Sequence, residues 1–369
     1  MTKKSAKSVD YFFEKVQDPR HHNTIHKLID IIILSISAVV AGADTYEQIE
    51  HFGKKRKRWL QKFLELPAGI PSHDTIGRVF ERINPEEFQN SFMQWIEAIT
   101  ERTRGQVVAI DGKTLRRSHS RSKDKKAIHM ISAWSASNKV VLGQLKTAEK
   151  SNEITAIPRL LKLLDISGCI ITIDAMGTQK KIAETIIKEG GDYVLALKKN
   201  HKDLYSDTEA FFEGSETCTL NRYETTDGGH GRIETRKYVM TSDIDWLQGR
   251  ENWPGLKSIG MVESTREIDG KVSIEKRYYI TSLESDAEKF GYSIRSHWGI
   301  ENKVHWVLDI AFREDESRIR TGYAPENFAV LRHIALNLIR KNNTFKGSIK
   351  TKRFTAALDV DYLEEIMFT

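Results

Sequence analysis

Two cysteines in 369 residues are too few for a disulfide framework, and neither Cys169, in an apolar run, nor Cys218, in a polar one, has metal-ligand spacing. Long hydrophobic runs are missing too. The longest, Leu28 to Ala43, is interrupted by Asp30, Ser35 and Ser37 and is shorter than a bilayer-spanning helix, so it reads as a buried helix and no membrane partner is expected. The lysines of MTKKSAKSVDYFF are not followed by the apolar run of a secretory signal, and a cytoplasmic protein is expected. There is no internal repeat and no low-complexity linker. What is present is 39% apolar and 29% charged residues with seven Trp, eleven Tyr and fifteen Phe, enough to bury a large core in about two or three domains.

Excess charge of one sign is small overall, +6 from 57 basic and 51 acidic residues, but it is unevenly placed. Between Lys113 and Lys126 stand Lys113, Arg116, Arg117, Arg121, Lys123, Lys125 and Lys126 against Asp124 alone. From Arg318 to Arg353 nine basic residues face only Glu326. Either patch is suited to phosphates, and either reads equally as a solvated loop or helix face.

Residues 1–104 carry helix-period apolar residues. Asn84 caps, Pro85 takes the first helical position, Glu87 completes a capping-box-like pair, and Phe88, Phe92, Trp95, Ile96 and Ile99 form an apolar stripe. Before it, Ser72 or Asp74 caps a short helix showing His73, Arg78 and Arg82, a candidate recognition helix supported by the turn region Ala41 to His51. From Gln106 the runs VVAID, AIHMISAWS and KVVLGQLKT read as strands. Helix Glu153 to Leu164, strand CIITID, helix Thr178 to Lys188 and strand DYVLALK then alternate as in parallel crossovers, so a mixed sheet is expected. The stretch from Asn200 to Ser285 reads as an antiparallel insertion with a glycine-rich turn, DGGHGR, and a tight hairpin at Asp269-Gly270. Helix periodicity returns from Ala287 to Leu308 and from Pro325.

Three carboxylates stand at element ends. Asp111 closes VVAI, Asp174 closes IITI, and Glu301 lies in the helix of RSHWGIENKVHW. Singly, Asp111 reads as a turn residue, Asp174 as a helix cap and Glu301 as a surface charge. Together, two aspartates at the ends of neighbouring strands and one glutamate from a helix suit Mg²⁺ or Mn²⁺, two ions at one phosphodiester site. A rival is Zn²⁺ on His297, Glu301 and His305, but that spacing is not HExxH and leaves the aspartates unexplained. Lys113, Arg116 and Arg117, just after Asp111, and Lys198 and Lys199, ending a strand, are candidate phosphate contacts. His230, Arg232 and Arg236 sit where a flexible tip would reach a DNA end, and His297 would orient water or phosphate. Trp246 and Trp253 read as stacking platforms or as packed aromatics.

The segments PSHDTIGRVFERI, AIDGKTLRRS, TIDAMGTQKKIA, DYVLALKKNH, DGGHGRIETR and RSHWGIENKVHWVLDIAFREDESRIRTG, in this order, resemble those of the DDE-type insertion-sequence transposases, in the subgroup that includes the H-repeat-associated proteins. The resemblance spans about residues 20 to 340. It implies a ribonuclease-H-like α/β fold with a mixed sheet and a β-rich antiparallel insertion at about 200–285, within a catalytic domain at 105–341. An all-α DNA-binding domain at 1–104 precedes it and a C-terminal tail at 342–369 follows. It implies that Asp111, Asp174 and Glu301 hold two Mg²⁺ or Mn²⁺ ions. Tyr292 and Arg295 are similar to the start of a Tyr-Arg-Glu-Lys signature; Glu301 falls two positions late, and Leu308 takes the lysine position, with Lys303 as a substitute. The implied activity is cleavage at element ends and strand transfer of the 3′-hydroxyl, on double-stranded DNA with terminal inverted repeats and target DNA, by a dimer in the synaptic complex. The alternatives are an inactive transposase-derived DNA-binding protein and a nuclease without strand transfer.

Overall fold

The computed structural model describes residues 8–20, 24–101, 104–119, 126–147, 153–214, 220–229 and 231–368. Cys218 lies outside them. Five helices come first, α1 (Val9–Phe13), α2 (Leu28–Val40), α3 (Tyr46–Leu60), α4 (His73–Arg82) and α5 (Pro85–Ile99). Helix α2 is buried almost all round, as its uniform apolarity requires. The Thr45 side chain and Gln48 close a capping box on α3, so helix begins at Tyr46 inside the segment expected to turn. Asn84 caps α5 as expected, but Glu87 accepts from the Gln17 backbone N–H at 3.0 Å rather than closing the box.

Strands β1 (Val107–Thr114), β2 (His129–Ser135) and β3 (Val140–Thr147) form an antiparallel meander. Helix α6 (Glu153–Leu163), β4 (Ile170–Ile173), α7 (Lys180–Lys188) and β5 (Asp192–Leu197) follow, with β4 parallel to both β1 and β5. The segment read as wholly strand-like after Asn200 begins instead with a helix, α8 (Lys202–Gly214). Strands β6 (Asn221–Gly229), β7 (Arg232–Thr241), β8 (Ser258–Ile268) and β9 (Lys271–Thr281) are antiparallel, and Asp269 and Gly270 both take positive φ in the β8–β9 hairpin. β9 pairs with β5, so one sheet runs β3-β2-β1-β4-β5-β9-β8-β7-β6. The architecture is a mixed α/β fold around a large sheet.

Helix α9 (Ala287–Gly299) crosses the face of β1, β4 and β5 and continues through a π-helical turn (Ile300–His305) into α10 (Trp306–Phe312). Helix α11 (Ala324–Lys341) is buried for most of its length. Residues 342–369, read as a tail, carry α12 (Ile349–Leu358) and α13 (Val360–Phe368). These last helices, α11 and the N-terminal helices share one apolar core. Arg353 is buried and its guanidinium donates to the carbonyls of Val39 and Ala311 and to the Asp44 carboxylate.

Part of the second basic zone is thus interior, while Arg318, Lys341, Lys346 and Lys350 are exposed. Arg332, Lys352 and Arg353 are buried, and Arg340 lies over the Trp134 ring. His333, in the same helix, is buried, which pushes its imidazole down to about 4. Unfolding restores an ordinary value near 6.5, so stability is complete above that pH and declines as pH falls toward 4, by about 3 kcal/mol for a shift of this size. His333→Leu is expected to flatten this part of the profile, as measured by urea unfolding from pH 7 to 4; an unchanged slope would exclude the histidine as its source.

Candidate active site

The parallel pairing of β1 and β4 ends at Ile110 opposite Ile173, and the next residue of each chain is aspartate. Asp111 and Asp174 therefore leave the sheet side by side. Asp111 is not at a strand end, because β1 runs on to Thr114 against β2. It is only the parallel ladder that stops there. One Asp111 oxygen accepts from the Gly112 backbone N–H at 2.9 Å, and the other lies 3.3 Å from His305 Nδ1. Burial alone would raise this carboxyl, but the contact with His305 and the field of His297 hold it below the usual range.

Asp174 Oδ1 accepts from the backbone N–H groups of Met176 and Gly177, both at 3.1 Å. The turn they close precedes α7, which starts only at Lys180 and has Gln179 at its cap position, so Asp174 is not that helix's cap. Glu301 is exposed in the π-helical turn, where a widened backbone interrupts the regular helix. His297, one turn earlier, donates to or accepts from Thr172 Oγ1 at 3.0 Å. Its imidazole is driven down by burial although Asp111, Asp174 and Glu301 all pull it up, so burial wins. The fields of all three acids meet at this one ring.

Among the described residues no group of three or more His, Cys, Asp or Glu side chains is close enough to enclose an ion. That covers the zinc reading of His297, Glu301 and His305 as well. In chemical type, carboxylate oxygens where the β1–β4 ladder stops and on the facing helix fit a hard divalent cation.

Several sequence-predicted contacts are placed differently. Lys113 is nearly buried, with Nζ 2.5 Å from Asp309 and 2.9 Å from Glu314, so its charge is spent within the protein and not on phosphate. Arg236 is buried too, paired with Asp227 and Glu234. Arg232 and Arg295 are half-exposed but also paired, with Glu234 and Asp227 respectively. Arg116 is exposed and reaches Asp315 at 3.2 Å, and the Arg117 carbonyl accepts from Arg320. Lys198, Lys199, Tyr292, Lys303, Arg78 and Arg82 are exposed. His230, Arg121, Lys123 and Lys125 lie outside the described residues. Trp253 is buried edge-on to His201, so the packed-aromatic reading holds for it, whereas Trp246 is exposed and stacks on Phe211 at 4.8 Å.

Helix α4 presents Arg78 and Arg82 outward and packs on α3 and α11. Residues 61–72 separate α3 from α4, more than the three or four residues of a helix-turn-helix corner. A cleft of about 610 Å³ beside α4 is lined by Arg78, Arg313, Arg318 and Arg320, but also by Asp44, Glu47, Asp74, Glu81 and Glu316, which offset the arginines.

Sequence reasoning missed a buried pair packed against Gly112. His129 Nε2 lies 2.5 Å from Glu153 Oε1, and His129 Nδ1 bonds Thr114 Oγ1 at 2.8 Å. A Cβ at Gly112 would collide with His129 and, at 2.5 Å, with Glu153. Glycine after Asp111 is thus a packing requirement, a signal that the Asp-Gly turn reading concealed.

Two aspartates side by side where the β1–β4 ladder stops, with an acid-bearing helix across them, bring carboxylates from distant parts of the chain to one end of the parallel strands. Residues 102–338 match the transposase DDE domain, and residues 11–96 match its DDE_Tnp_1-associated region. The chain belongs to the transposase DDE-domain family. It is 43% identical over 373 residues to "Putative transposase YncI" of Escherichia coli O157:H7, covering 98% of this chain and 95% of that one. It is 44% identical over 352 residues to "H repeat-associated putative transposase YhhI" of Escherichia coli K12, covering 93% and 92%. A cryo-EM structure of a piggyBac transposase synaptic complex with hairpin DNA aligns over 98% of this chain and 79% of that one, at 13% identity and a TM-score of 0.43. No helix among the described residues is long and apolar enough to cross a membrane.

Proposed function

We propose that the protein is a metal-dependent DNA transposase that cuts at the ends of its element and joins the freed 3′-hydroxyl to target DNA. The observation that carries this reading is the register of β1 and β4, which sets Asp111 beside Asp174, with Glu301 in the π-helical turn that packs against β1. The order β3-β2-β1-β4-β5 supports a ribonuclease-H-like core, and β6 to β9 are then the insertion before the last acid.

Asp111, Asp174 and Glu301 would hold two Mg²⁺ or Mn²⁺ ions, which when bound lower the pKa of the attacking water or 3′-hydroxyl and stabilise the leaving oxygen. The chain's own residues prepare that site. The amides of Met176 and Gly177 fix Asp174 by one oxygen and leave the second to a ligand. Arg116, Arg117, Lys198, Lys199 and Lys303, exposed around this end of the sheet, are available to phosphates, and Arg78 and Arg82 of the N-terminal helical domain would meet the terminal repeats. Two ends brought together require a dimer in the synaptic complex.

With Mg²⁺ and terminal inverted-repeat DNA the protein is expected to nick the repeat and yield joined products on a gel. Binding without nicks would leave an inactive DNA-binding protein, and nicks without joining would leave a nuclease.

A further inference from the structure

On the face of the sheet that carries α9, four arginines converge on two carboxylates. The register sets Asp227 of β6, Glu234 of β7 and Arg266 of β8 in one row, and Arg232 and Arg236 flank Glu234 on the same side of β7. Glu234 is buried. It accepts from Arg266 Nε at 3.1 Å and pairs with Arg236 Nη2 at 2.6 Å and with Arg232. Asp227 accepts from Arg236 Nη1 at 2.6 Å and from Arg295 Nη2 of α9 at 3.3 Å.

Burial separates their roles. The Arg236 side chain is 8% exposed and, with Glu234, forms a fixed base. The side chains of Arg232, Arg266 and Arg295 are 46%, 40% and 47% exposed, so each is tethered at one edge and open at the other. Four guanidiniums against two carboxylates leave the cluster at +2, and like charges held this close repel unless an anion joins them. A guanidinium has five donors in a planar fork, more than one carboxylate contact uses, and the remainder match phosphate oxygens. Arg295 stands six residues before Glu301 on the continuous α9 and π-helical segment, about 9 Å of helical rise from it.

We propose that Arg232, Arg266 and Arg295, held by buried Glu234 and Arg236, form a phosphodiester-binding track that lays a DNA strand along the insertion and delivers it to the carboxylate end of the sheet. The track rests on the DNA reading above, but not on cleavage. Arg236 becomes its anchor rather than a DNA contact.

The test uses the full chain and a fluorescent mixed-sequence DNA duplex in EDTA, with binding measured by anisotropy across a salt series. Replacing Arg232, Arg266 and Arg295 together by alanine is expected to make the plot of log affinity against log salt shallower by about 2.7, from about 0.9 for each lost phosphate contact. The triple lysine variant is expected to keep the wild-type slope at reduced affinity, because charge is retained and the fork is lost. Arg266→Ala alone, the mildest change, is expected to remove about 0.9 and serves if the triple alanine variant does not fold. A folded alanine variant, triple or single, with the wild-type slope would overturn the track. If wild-type protein also nicks and joins repeat DNA, the transposase reading survives that result. A wild-type chain that binds no duplex would sink the DNA reading itself.

Discussion

Asp174→Asn protein is expected to bind terminal-repeat DNA as tightly as wild type while cutting it at least about 10³-fold more slowly, a barrier increase of about 4 kcal/mol. Asparagine keeps the acceptor oxygen that takes the Met176 and Gly177 N–H groups, so the turn after β4 should survive with its geometry. What disappears is one unit of negative charge and one anionic oxygen at the junction of β1 and β4. If that oxygen holds a cation, the loss falls on the chemical step; if Asp174 only shapes the turn, the variant should work. Single-turnover nicking in Mg²⁺, with the melting temperature measured alongside, decides between them. Cutting within about tenfold of wild type would remove Asp174 from the chemistry.

The second large effect concerns stability. Lys113→Met is expected to lower the unfolding free energy by about 3–5 kcal/mol, because it strips Glu314 of its main partner while leaving it buried. Glu314 is 2% exposed, 2.9 Å from Lys113 Nζ, and has Arg332 as its other cation at 3.7 Å. Burial would push the Glu314 carboxyl up, but Lys113 and then Arg332 hold it down at about 2. The wild-type pair therefore contributes stability that is full above pH 4.5 and is lost as pH falls toward 2. In the variant that acid transition should move to higher pH, as chemical unfolding at several pH values would report. A variant of normal stability with weakened DNA binding would return Lys113 to the phosphate contacts.

Lys113 also shows what a linear reading of charge cannot see. Seven basic residues in fourteen positions read as one patch, yet the strand pleat turns Lys113 inward with Asp111, while Arg116 and Arg117 stay outside. The partners that bury it, Asp309 and Glu314, are 196 and 201 residues away and have no local signature. The same holds for Arg332 and Arg353, whose basic stretch became a set of internal clamps.

The strands, by contrast, were legible because VVAI is an apolar run and IITI is broken only by Thr172, each followed by acid, the pattern of a buried parallel strand. Family resemblance singled out Asp111, Asp174 and Glu301 from many acids. The pairing that sets Asp111 beside Asp174 was an inference from fold class, and the register supplies it. Helix α8 was missed because only Leu204 and Thr208 are fully buried, and the Tyr205, Phe211 and Phe212 that extend their face are only partly covered. Arg266 and Glu234 escaped notice since cross-strand rows depend on register, which no single strand announces.

The clamp from Arg353 to the end of α2 joins residues 314 positions apart. During synthesis the helix at 28–40, apolar on nearly every side, therefore emerges from the ribosome long before the segment that covers it. Until those last helices arrive it must be shielded by its α3 to α5 neighbours or by a chaperone. A copy of the gene interrupted shortly before codon 349 would encode every proposed catalytic acid, yet its product would leave that greasy rod uncovered and invite degradation.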